Sequence, residues 1–466
     1  MPNRILSSSL QTTSRAAFIL PALLSMSLTA QAQDATASQP TPEQLEQFTH
    51  NRLVDALLLM DRHFRIEETG QYLDVIGIGD EEQSHDIPSS IAATGIGLMT
   101  LAVGDSLGVI EDAEAKAIVT MEHLLGIDDQ LGFDIPRSDD GWYPHFIDPR
   151  TGTPSESSEN KWSTIDTALL AAGSAIAARY FSGKSFSEGR GESRVFTLGG
   201  QIVGQIVWRN AIKSVDDGLI HLTFVGDDEP GSDNIFATPF DEYAMLPCIA
   251  MRGEQLASLQ GPAHDLFIRH YNDVATLPVS AYDEFEVIGK PNRGFVAHFT
   301  HQFVYNFCNA MSGQAAYQDA MRDLAGADRA YFQNTSAGQF DPSLWGLGAG
   351  SEVKFASDGT VERTGYGVAH IEKNPNDTAS PAIMAGFAPL WDAGEPGDPM
   401  VDLYDLWSRD VCSYDHLGLQ FQWRCSARNP DISVERVEAI DFSTMIMGLA
   451  GRHPKIGTAF FRHFNL

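Results

Sequence analysis

The strongest constraint on the fold is the return of apolar side chains at helical spacing along nearly the whole chain. About thirteen segments show this three-to-four-residue period, while alternation with period two is rare. The loops between these segments alternate in length, which predicts an all-α fold of paired inner and outer helices, an (α/α)6 toroid. A solenoid of stacked helix pairs is the alternative, although no repeat of fixed length is visible. The predicted helices are 42–64, 88–103, 111–125, 163–181, 197–208, 239–251, 263–271, 297–311, 315–332, 381–391, 400–407, 441–451 and 455–464.

The amino terminus has the pattern of a secretory signal. Arg4 and Arg15 precede an apolar run, 16–28, that is too short to span a bilayer. Ala30-Gln31-Ala32 then forms a small-x-small cleavage site. We therefore predict a signal peptide at 1–32, a linker at 33–40 and one domain at 41–466, in a periplasmic or secreted protein. No later segment is apolar enough to predict a membrane span.

The charge balance narrows the class of partner. With 62 acidic and 31 basic residues, the formal net charge is −31. Nucleic acids and anionic membranes are bound through lysine and arginine, so this balance excludes them as expected partners and favours a neutral ligand. We expect a monomer.

Four cysteines occur, and their spacing matches no zinc-binding pattern. Cys412 and Cys425 flank a short aromatic segment, where a disulfide in an oxidising compartment would add about 3 kcal/mol. Cys248 and Cys308 lie in apolar helical contexts and are interpreted as small buried hydrophobic residues, with a second disulfide as the alternative.

The segment 141–181 contains the densest set of candidate functional residues. Trp142 and Tyr143 lie in an aromatic, turn-rich loop, and Ser163 or Thr164 is a plausible N-cap for the helix that follows. Asp166 falls in the first helical turn, where it suits the helix dipole. This pattern fits a simple helix cap, and it equally fits the rim of a sugar cleft in a helical barrel.

The same segment resembles the glycoamylase-like domain family, which includes bacterial endo-β-1,2-glucanases and the glycan-processing domain of cyclic β-1,2-glucan synthases. The matching motifs are an aromatic turn at His145-Phe146, Asp148 and Thr151-Gly152, and the helical run from Ser163 to Gly173. The resemblance extends over roughly 41–464 and also implies an (α/α)6 fold. Lys161 stands where the family usually has an acidic residue.

The resemblance implies a pair of catalytic carboxylates. Glu242, in the segment Phe240-Asp241-Glu242-Tyr243, matches the general acid of the family. Asp441 stands at the Asp of a second family motif, and we assign it as the general base. A buried Glu with a raised pKa can hold the proton that the leaving oxygen needs. Helix capping is the alternative role for both residues, and Ser443-Thr444 replaces the usual Gly-Pro after Asp441.

Further residues are expected to bind the sugar. Asp166 and Asp377 are candidates for hydrogen bonds to hydroxyl groups, His301 and Gln302 for hydroxyl recognition, and Trp142, Tyr143 and Trp345 for stacking on sugar rings.

The resemblance implies a glycoside hydrolase that cleaves a neutral β-glucan, most specifically β-1,2-glucan, and we expect endo action with inversion and no cofactor or metal. Exo action is left open by the sequence, and so is retention, which would follow if the two carboxyl groups stood about 5 Å apart. Two alternatives stay open. One is a polysaccharide lyase on the same toroid, which the scarcity of basic residues disfavours. The other is a glycan-binding protein without activity, consistent with the departures at 161 and 443–444.

Overall fold

Fourteen α-helices, with short antiparallel strands between them, make up most of the described part of the computed structural model. It describes residues 39–78, 87–127, 132–156, 161–225, 229–230, 236–237, 240–241, 243–257, 260–290, 294–335, 339–356, 358, 360–432 and 434–464. The predicted signal peptide and nearly all of the predicted linker lie outside these residues. The chain from Pro40 to Leu466 forms one compact unit.

The helices are α1 Pro42–Leu59, α2 Ile91–Leu107, α3 Ala113–Leu125, α4 Thr164–Ser187, α5 Arg194–Gly204, α6 Leu246–Leu256, α7 Pro262–His270, α8 Phe299–Phe307, α9 Asn309–Ser312, α10 Ala315–Thr335, α11 Pro381–Phe387, α12 Pro399–Ser408, α13 Ala439–Arg452 and α14 Gly457–Phe464. A π-helical turn continues α1 over Met60–Phe64, and 3-10 turns cover Trp208–Ala211, Val274–Thr276 and Ala388–Leu390.

The strands are β1 Val75–Gly77, β2 Ser89–Ser90, β3 Phe146–Ile147, β4 Lys161–Ser163, β5 Ile212–Ser214, β6 Leu219–His221, β7 Thr223–Val225, β8 Glu229–Pro230, β9 Phe236–Ala237, β10 Val279–Tyr282, β11 Phe285–Ile288, β12 Ala349–Phe355, β13 Val361–Val368, β14 Thr378–Ala379, β15 Ser413–His416, β16 Leu419–Gln422, β17 Cys425–Ser426 and β18 Arg436–Glu438. All their pairings are antiparallel, and several join segments far apart in sequence, such as β1 with β18.

Local sequence signals place several helix starts correctly. Thr41 caps α1 in a reciprocal capping box with Gln44, and Pro42 occupies the first turn. Ser163 caps α4 by accepting a hydrogen bond from the Asp166 amide. The predicted helix at 297–311 is instead two helices, because Cys308 leaves the helical conformation with ψ near 84°.

Six helices contact one another in cyclic order. Helix α2 packs on α4, α4 on α6, α8 on α11, α11 on α13, and α13 on α2. The remaining step, from α6 to the end of α8, is made by a disulfide between Cys248 and Cys308. Cys248 and Cys308 are buried as interpreted, but they are paired, so the alternative of a second disulfide holds. Cys412 and Cys425, whose pairing the sequence left open, also form a disulfide.

Close helix contacts depend on glycine. A Cβ atom on Gly173 would lie 1.8 Å from the Gly95 carbonyl oxygen, and one on Gly448 would lie 2.0 Å from the Ala385 carbonyl oxygen. Larger side chains would force α2 away from α4 and α11 away from α13, so these glycines set the spacing of the helices. Among the described residues, none of the helices is both long and apolar enough to cross a membrane.

Candidate active site

A cavity of about 370 Å³ lies where four helices begin. Its walls come from the first turns of α2, α4, α8 and α13, from the strands β3 and β13, and from the residue that precedes β1. Helix amino termini carry partial positive charge, which favours carboxylates at such a position. The lining residues are Asp74, Ala92, His145, Phe146, Ile165, Asp166, Leu169, Phe299, Phe303, Tyr366, Glu438, Ile440 and Asp441.

A second cavity of about 330 Å³ adjoins the first at Phe299, which lines both, and we refer to the two cavities together as the cleft. Asp241 and Tyr243 line the second cavity, as do two lysines, Lys290 and Lys373. Glu242, the predicted general acid, lies outside the described residues. Of its chain neighbours, the structure describes Asp241 and Tyr243, and both line the second cavity.

Asp441 lies in the first turn of α13 and is 4% exposed. Burial raises its pKa to about 8, and the negative charge of Glu438 acts in the same direction. Arg424 and a 3.4 Å hydrogen bond from the Tyr366 hydroxyl to Asp441 Oδ1 oppose this rise. With a pKa of about 8, Asp441 is mostly protonated at neutral pH.

Glu438 is the N-cap residue of the same helix, and it is tied to the hairpin formed by β12 and β13. The Ser351 amide donates to Glu438 Oε2 at 2.9 Å, and the Ser351 hydroxyl donates to Oε1. Burial raises the pKa of Glu438. Arg424 is fully buried, donates from Nε to the Ser351 carbonyl at 2.9 Å, and places its positive charge near both Glu438 and Asp441.

Asp74 brings a third carboxyl group to the cavity from the other end of the chain. The Ala439 amide donates to its carbonyl at 2.8 Å, which extends the pairing of β1 with β18 into α13. Burial raises the pKa of the Asp74 side chain to about 6, opposed by His145. At neutral pH, Asp74 is therefore mostly ionised while Asp441 is mostly protonated.

Asp166 lines the cavity as predicted, but its carboxylate is 3% exposed and held by protein partners. His145 Nδ1 lies 2.7 Å from Asp166 Oδ2, and the Ser163 hydroxyl donates to the same oxygen. The His145 side chain is 48% exposed. His145 is thus the more accessible member of the pair, and Asp166 orients it.

The predicted stacking residues occupy the core instead of the cleft. Trp142 and Tyr143 are each 1% exposed, and Trp142 packs edge-on against Trp208. Trp345 is fully buried and donates from Nε1 to Asp402 at 2.8 Å. The stacking prediction is wrong for these three residues, because none presents a ring face to a ligand.

His301 and Gln302 are also internal. His301 Nε2 lies 2.8 Å from the Ile288 carbonyl, and burial lowers its pKa to about 3. Gln302 donates to the Ile383 carbonyl at 2.8 Å and so joins α8 to α11. Phe299 and Phe303 line the cavity from this helix instead. The structure corrects the predicted hydroxyl recognition to a packing role.

Asp377 lies in a different depression, which Thr335, Gln339, Phe340 and Arg428 complete. Its carboxylate pairs with Arg428, and its backbone has a positive φ of 47°. The structure therefore does not bring Asp377 together with Asp166 and Asp441, contrary to the expectation of a common rim.

Four of the lining residues with polar side chains were not assigned to the site from the sequence: Asp74, His145, Tyr366 and Glu438. His145 stood within a recognised motif, and Glu438 is one helical turn before Asp441, so both carried a local signal. Asp74 and Tyr366 carried none, because contacts between distant segments bring them to the site: Asp74 through the pairing of β1 with β18, and Tyr366 through the hydrogen bonds of its hairpin partner Ser351 to Glu438. Within the described ranges, no group of three or more metal-binding side chains is arranged to hold a metal ion.

No family model matches the chain, and neither does any curated protein. Solved structures do match. An endo-β-1,2-glucanase of Chitinophaga pinensis, solved with sophorotriose and glucose, aligns with a TM-score of 0.67 at 14% identity over 91% of this chain and 95% of its own. The chain has the fold of this glucanase.

Two further enzymes share this fold at lower similarity. An endo-β-1,2-glucanase of Talaromyces funiculosus, in complex with β-1,2-glucan, aligns with a TM-score of 0.56 at 13% identity, over 89% of this chain and 87% of its own. A cellobiose 2-epimerase of Bacillus thermoamylovorans aligns with a TM-score of 0.53 at 12% identity, over 87% and 98%. The resemblance stated from the sequence is confirmed at the level of fold. Because the fold also hosts an epimerase, the reaction has to be argued from the site.

Proposed function

We propose that this protein is a glycoside hydrolase that cleaves neutral β-1,2-glucan by endo action and with inversion. The observation that carries the proposal is the cleft itself. It holds Asp441 in one cavity and the chain neighbours of Glu242 in the adjoining one, on a fold shared with endo-β-1,2-glucanases. Most glycoside hydrolases place two carboxyl groups on opposite sides of the glycosidic bond that they cleave.

In this proposal Glu242 is the general acid and Asp441 is the general base. Glu242 donates a proton to the glycosidic oxygen as the bond to the anomeric carbon breaks, and Asp441 removes a proton from the attacking water. Asp441 has to be ionised to act in this way. Its raised pKa therefore predicts activity that increases as the pH approaches about 8.

The surroundings of the carboxyl groups suit a neutral, hydroxyl-rich substrate. Asp74, Asp166 and Glu438 place further oxygen acceptors at the cavity, and an anionic sugar would meet repulsion from them. His145 offers an imidazole to the same space. In the cavity that holds Asp441, this set of groups disfavours a lyase, because a lyase needs basic side chains to neutralise a uronic carboxylate; Lys290 and Lys373 lie in the adjoining cavity.

The architecture and compartment are part of the same proposal. The six helices that contact in cyclic order are assigned as the inner ring of an (α/α)6 toroid, with the cleft at the rim where α2, α4, α8 and α13 begin. Two disulfides suit an oxidising compartment, which supports a periplasmic or secreted location. The protein is proposed to act as a monomer of one domain, 41–466.

The deciding experiment is the release of reducing ends from β-1,2-, β-1,3-, mixed-linkage and β-1,4-glucans by the purified mature protein. Glu242→Gln and Asp441→Asn are compared with the wild type. We expect cleavage of β-1,2-glucan to internal fragments, with a loss of roughly a thousandfold or more in each variant. Product anomers report inversion or retention.

The same panel separates the alternatives. Binding of a glucan without any cleavage, unaffected by Glu242→Gln, would identify a glycan-binding protein. An unsaturated product from a uronic polysaccharide would identify a lyase. Failure to bind or cleave any of the four glucans would refute the proposed substrate.

A further inference from the structure

One face of β13 forms a wall of the whole cleft. Tyr366 lines the cavity that holds Asp441, and Val368 lines the adjoining cavity near Asp241. Residues two apart in a strand point to the same side, so both side chains belong to one surface. Phe299 lines both cavities from α8. A ligand that occupies the cleft therefore contacts this face of the strand.

This wall is exposed and apolar. Tyr366 is 58% exposed and Val368 is 40% exposed, whereas most large apolar side chains of the described residues are buried. Adjacent exposed apolar groups inside a concave site commonly mark a ligand-binding surface. A sugar ring has an apolar face of C–H groups that packs on an aromatic ring, while its hydroxyl groups reach polar neighbours.

The β12–β13 hairpin, which carries Tyr366 and Val368, is hydrogen-bonded to the start of α13, the helix that contains Asp441. Ser351 is the partner of Tyr366 in the β12–β13 ladder. Its amide and hydroxyl donate to Glu438 at the start of α13, and its carbonyl accepts a hydrogen bond from Arg424. These three bonds hold the backbone opposite Tyr366, and so they fix the ring relative to Asp441.

We propose that Tyr366 is a substrate-binding residue that stacks on a sugar ring of the glucan and, through its hydroxyl, positions the Asp441 carboxylate. The inference rests on the proposed glucanase function, and it assigns the aromatic platform that the buried Trp142, Tyr143 and Trp345 do not supply. The 3.4 Å separation between Tyr366 Oη and Asp441 Oδ1 allows one side chain to serve both purposes. The hydroxyl bond favours the ionised form of Asp441 and so lowers its pKa.

The test compares Tyr366→Ala, Tyr366→Phe and a matched control, Val361→Ala. Val361 lies on the same strand and is 44% exposed, but it lines neither cavity of the cleft. Three quantities are measured for each variant: kcat and KM on β-1,2-glucan across pH, and the Kd for a β-1,2-gluco-oligosaccharide by titration calorimetry. Thermal unfolding confirms that each variant is folded.

We expect Tyr366→Ala to raise KM and Kd about tenfold or more, because the stacking face is lost. Tyr366→Phe keeps the ring, so its Kd should stay within about twofold of the wild type. Its pH profile should move to higher pH, because Asp441 loses the hydroxyl bond that stabilises its ionised form. Val361→Ala should match the wild type in all three quantities.

Three outcomes are distinguishable. If the wild type cleaves β-1,2-glucan and Tyr366→Ala keeps its KM and Kd, the role of Tyr366 is refuted while the proposed function stands. If the wild type neither binds nor cleaves any glucan, the proposed function fails, and with it the glucan ligand assigned to Tyr366. Equal effects of Tyr366→Ala and Val361→Ala would show that a general change in the hairpin is responsible.

Discussion

Glu438 and Asp441 lie one helical turn apart at the start of α13, Glu438 as the N-cap residue and Asp441 in the first turn. Side chains three residues apart share one face of a helix, so the two carboxyl groups are neighbours. Both are buried, and the charge of Glu438 raises the pKa of Asp441. The protonation of this pair is therefore the most direct experimental route to the chemistry of the site.

The first prediction concerns the pH dependence of activity. If Asp441 is the general base, kcat/KM on β-1,2-glucan should rise with pH as Asp441 loses its proton, with a midpoint near its pKa of about 8. Glu438→Gln removes the neighbouring negative charge, so the rising limb should move to lower pH. Steady-state kinetics over a wide pH range provide the measurement. If the falling limb of the kcat/KM profile, and not the rising limb, moves to lower pH in Glu438→Gln, Asp441 acts as the general acid.

The second prediction concerns stability. The pKa of Asp441 is raised in the folded state, so between its ordinary value of 3.8 and about 8 the folded protein binds more protons than the unfolded chain. This group therefore lowers the free energy of unfolding as the pH rises through that window. Asp441→Asn cannot ionise and should be more stable than the wild type at pH 8, by about 1 kcal/mol or more, with the difference vanishing towards pH 4.

Urea unfolding at several pH values measures this difference. Asp265→Asn serves as the control, because the Asp265 side chain is 70% exposed and the change should leave the pH slope intact. A difference between Asp441→Asn and the wild type that stays constant with pH would contradict the raised pKa.

The third prediction separates the two members of the His145–Asp166 pair. Asp166→Ala removes the buried partner of His145 and of the Ser163 hydroxyl, so it should lower the free energy of unfolding by about 1–3 kcal/mol and also reduce kcat/KM. His145→Ala removes a half-exposed side chain and should reduce kcat/KM with little loss of stability. Thermal unfolding and steady-state kinetics report the two effects. Unchanged kinetics in His145→Ala would place this imidazole outside the substrate path.

The fourth prediction concerns the disulfides. Cys248 and Cys308 are 60 residues apart in sequence, and Cys412 and Cys425 are 13 apart. A disulfide that closes a longer loop removes more entropy from the unfolded chain. Replacing the first pair by alanine should cost roughly 4 kcal/mol and replacing the second roughly 3 kcal/mol, as chain-entropy estimates. Denaturant unfolding of the two double variants, with and without reductant, measures both losses. A larger loss from the Cys412–Cys425 pair would contradict the loop-length argument.

Local features of the fold could be predicted because they depend on neighbours in the chain. The capping of α1 by Thr41 and of α4 by Ser163 depends on a few adjacent residues, and Ser163 was one of the two caps predicted for α4. Helical periodicity likewise gave the helical class and most of the helices. The split at Cys308 was missed, because no proline or glycine marks it.

The site was predictable only in part. Asp441 and Asp166, each predicted near a helix start, lie in the first turns of α13 and α4 and line one cavity, while their roles stay predictions. Spacing could not distinguish an aromatic residue in a cleft from one in the core, so Trp142, Tyr143 and Trp345 were assigned to stacking and are in fact buried. Both environments select the same side chains, because aromatic rings favour any apolar contact.

By itself, the sequence determined the helical class, the helix starts with clear caps, the resemblance to glycoamylase-like enzymes and the acidic character of the site. Tertiary structure alone decided which residues meet. The pairing of β1 with β18 brings Asp74 close to Asp441. Tyr366 is brought there by its hairpin, in which Ser351 is hydrogen-bonded to Glu438. Cys248 finds Cys308 only when α6 and α8 are brought together. Such contacts depend on the packing of distant segments, whereas capping and periodicity are fixed by residues within one or two helical turns.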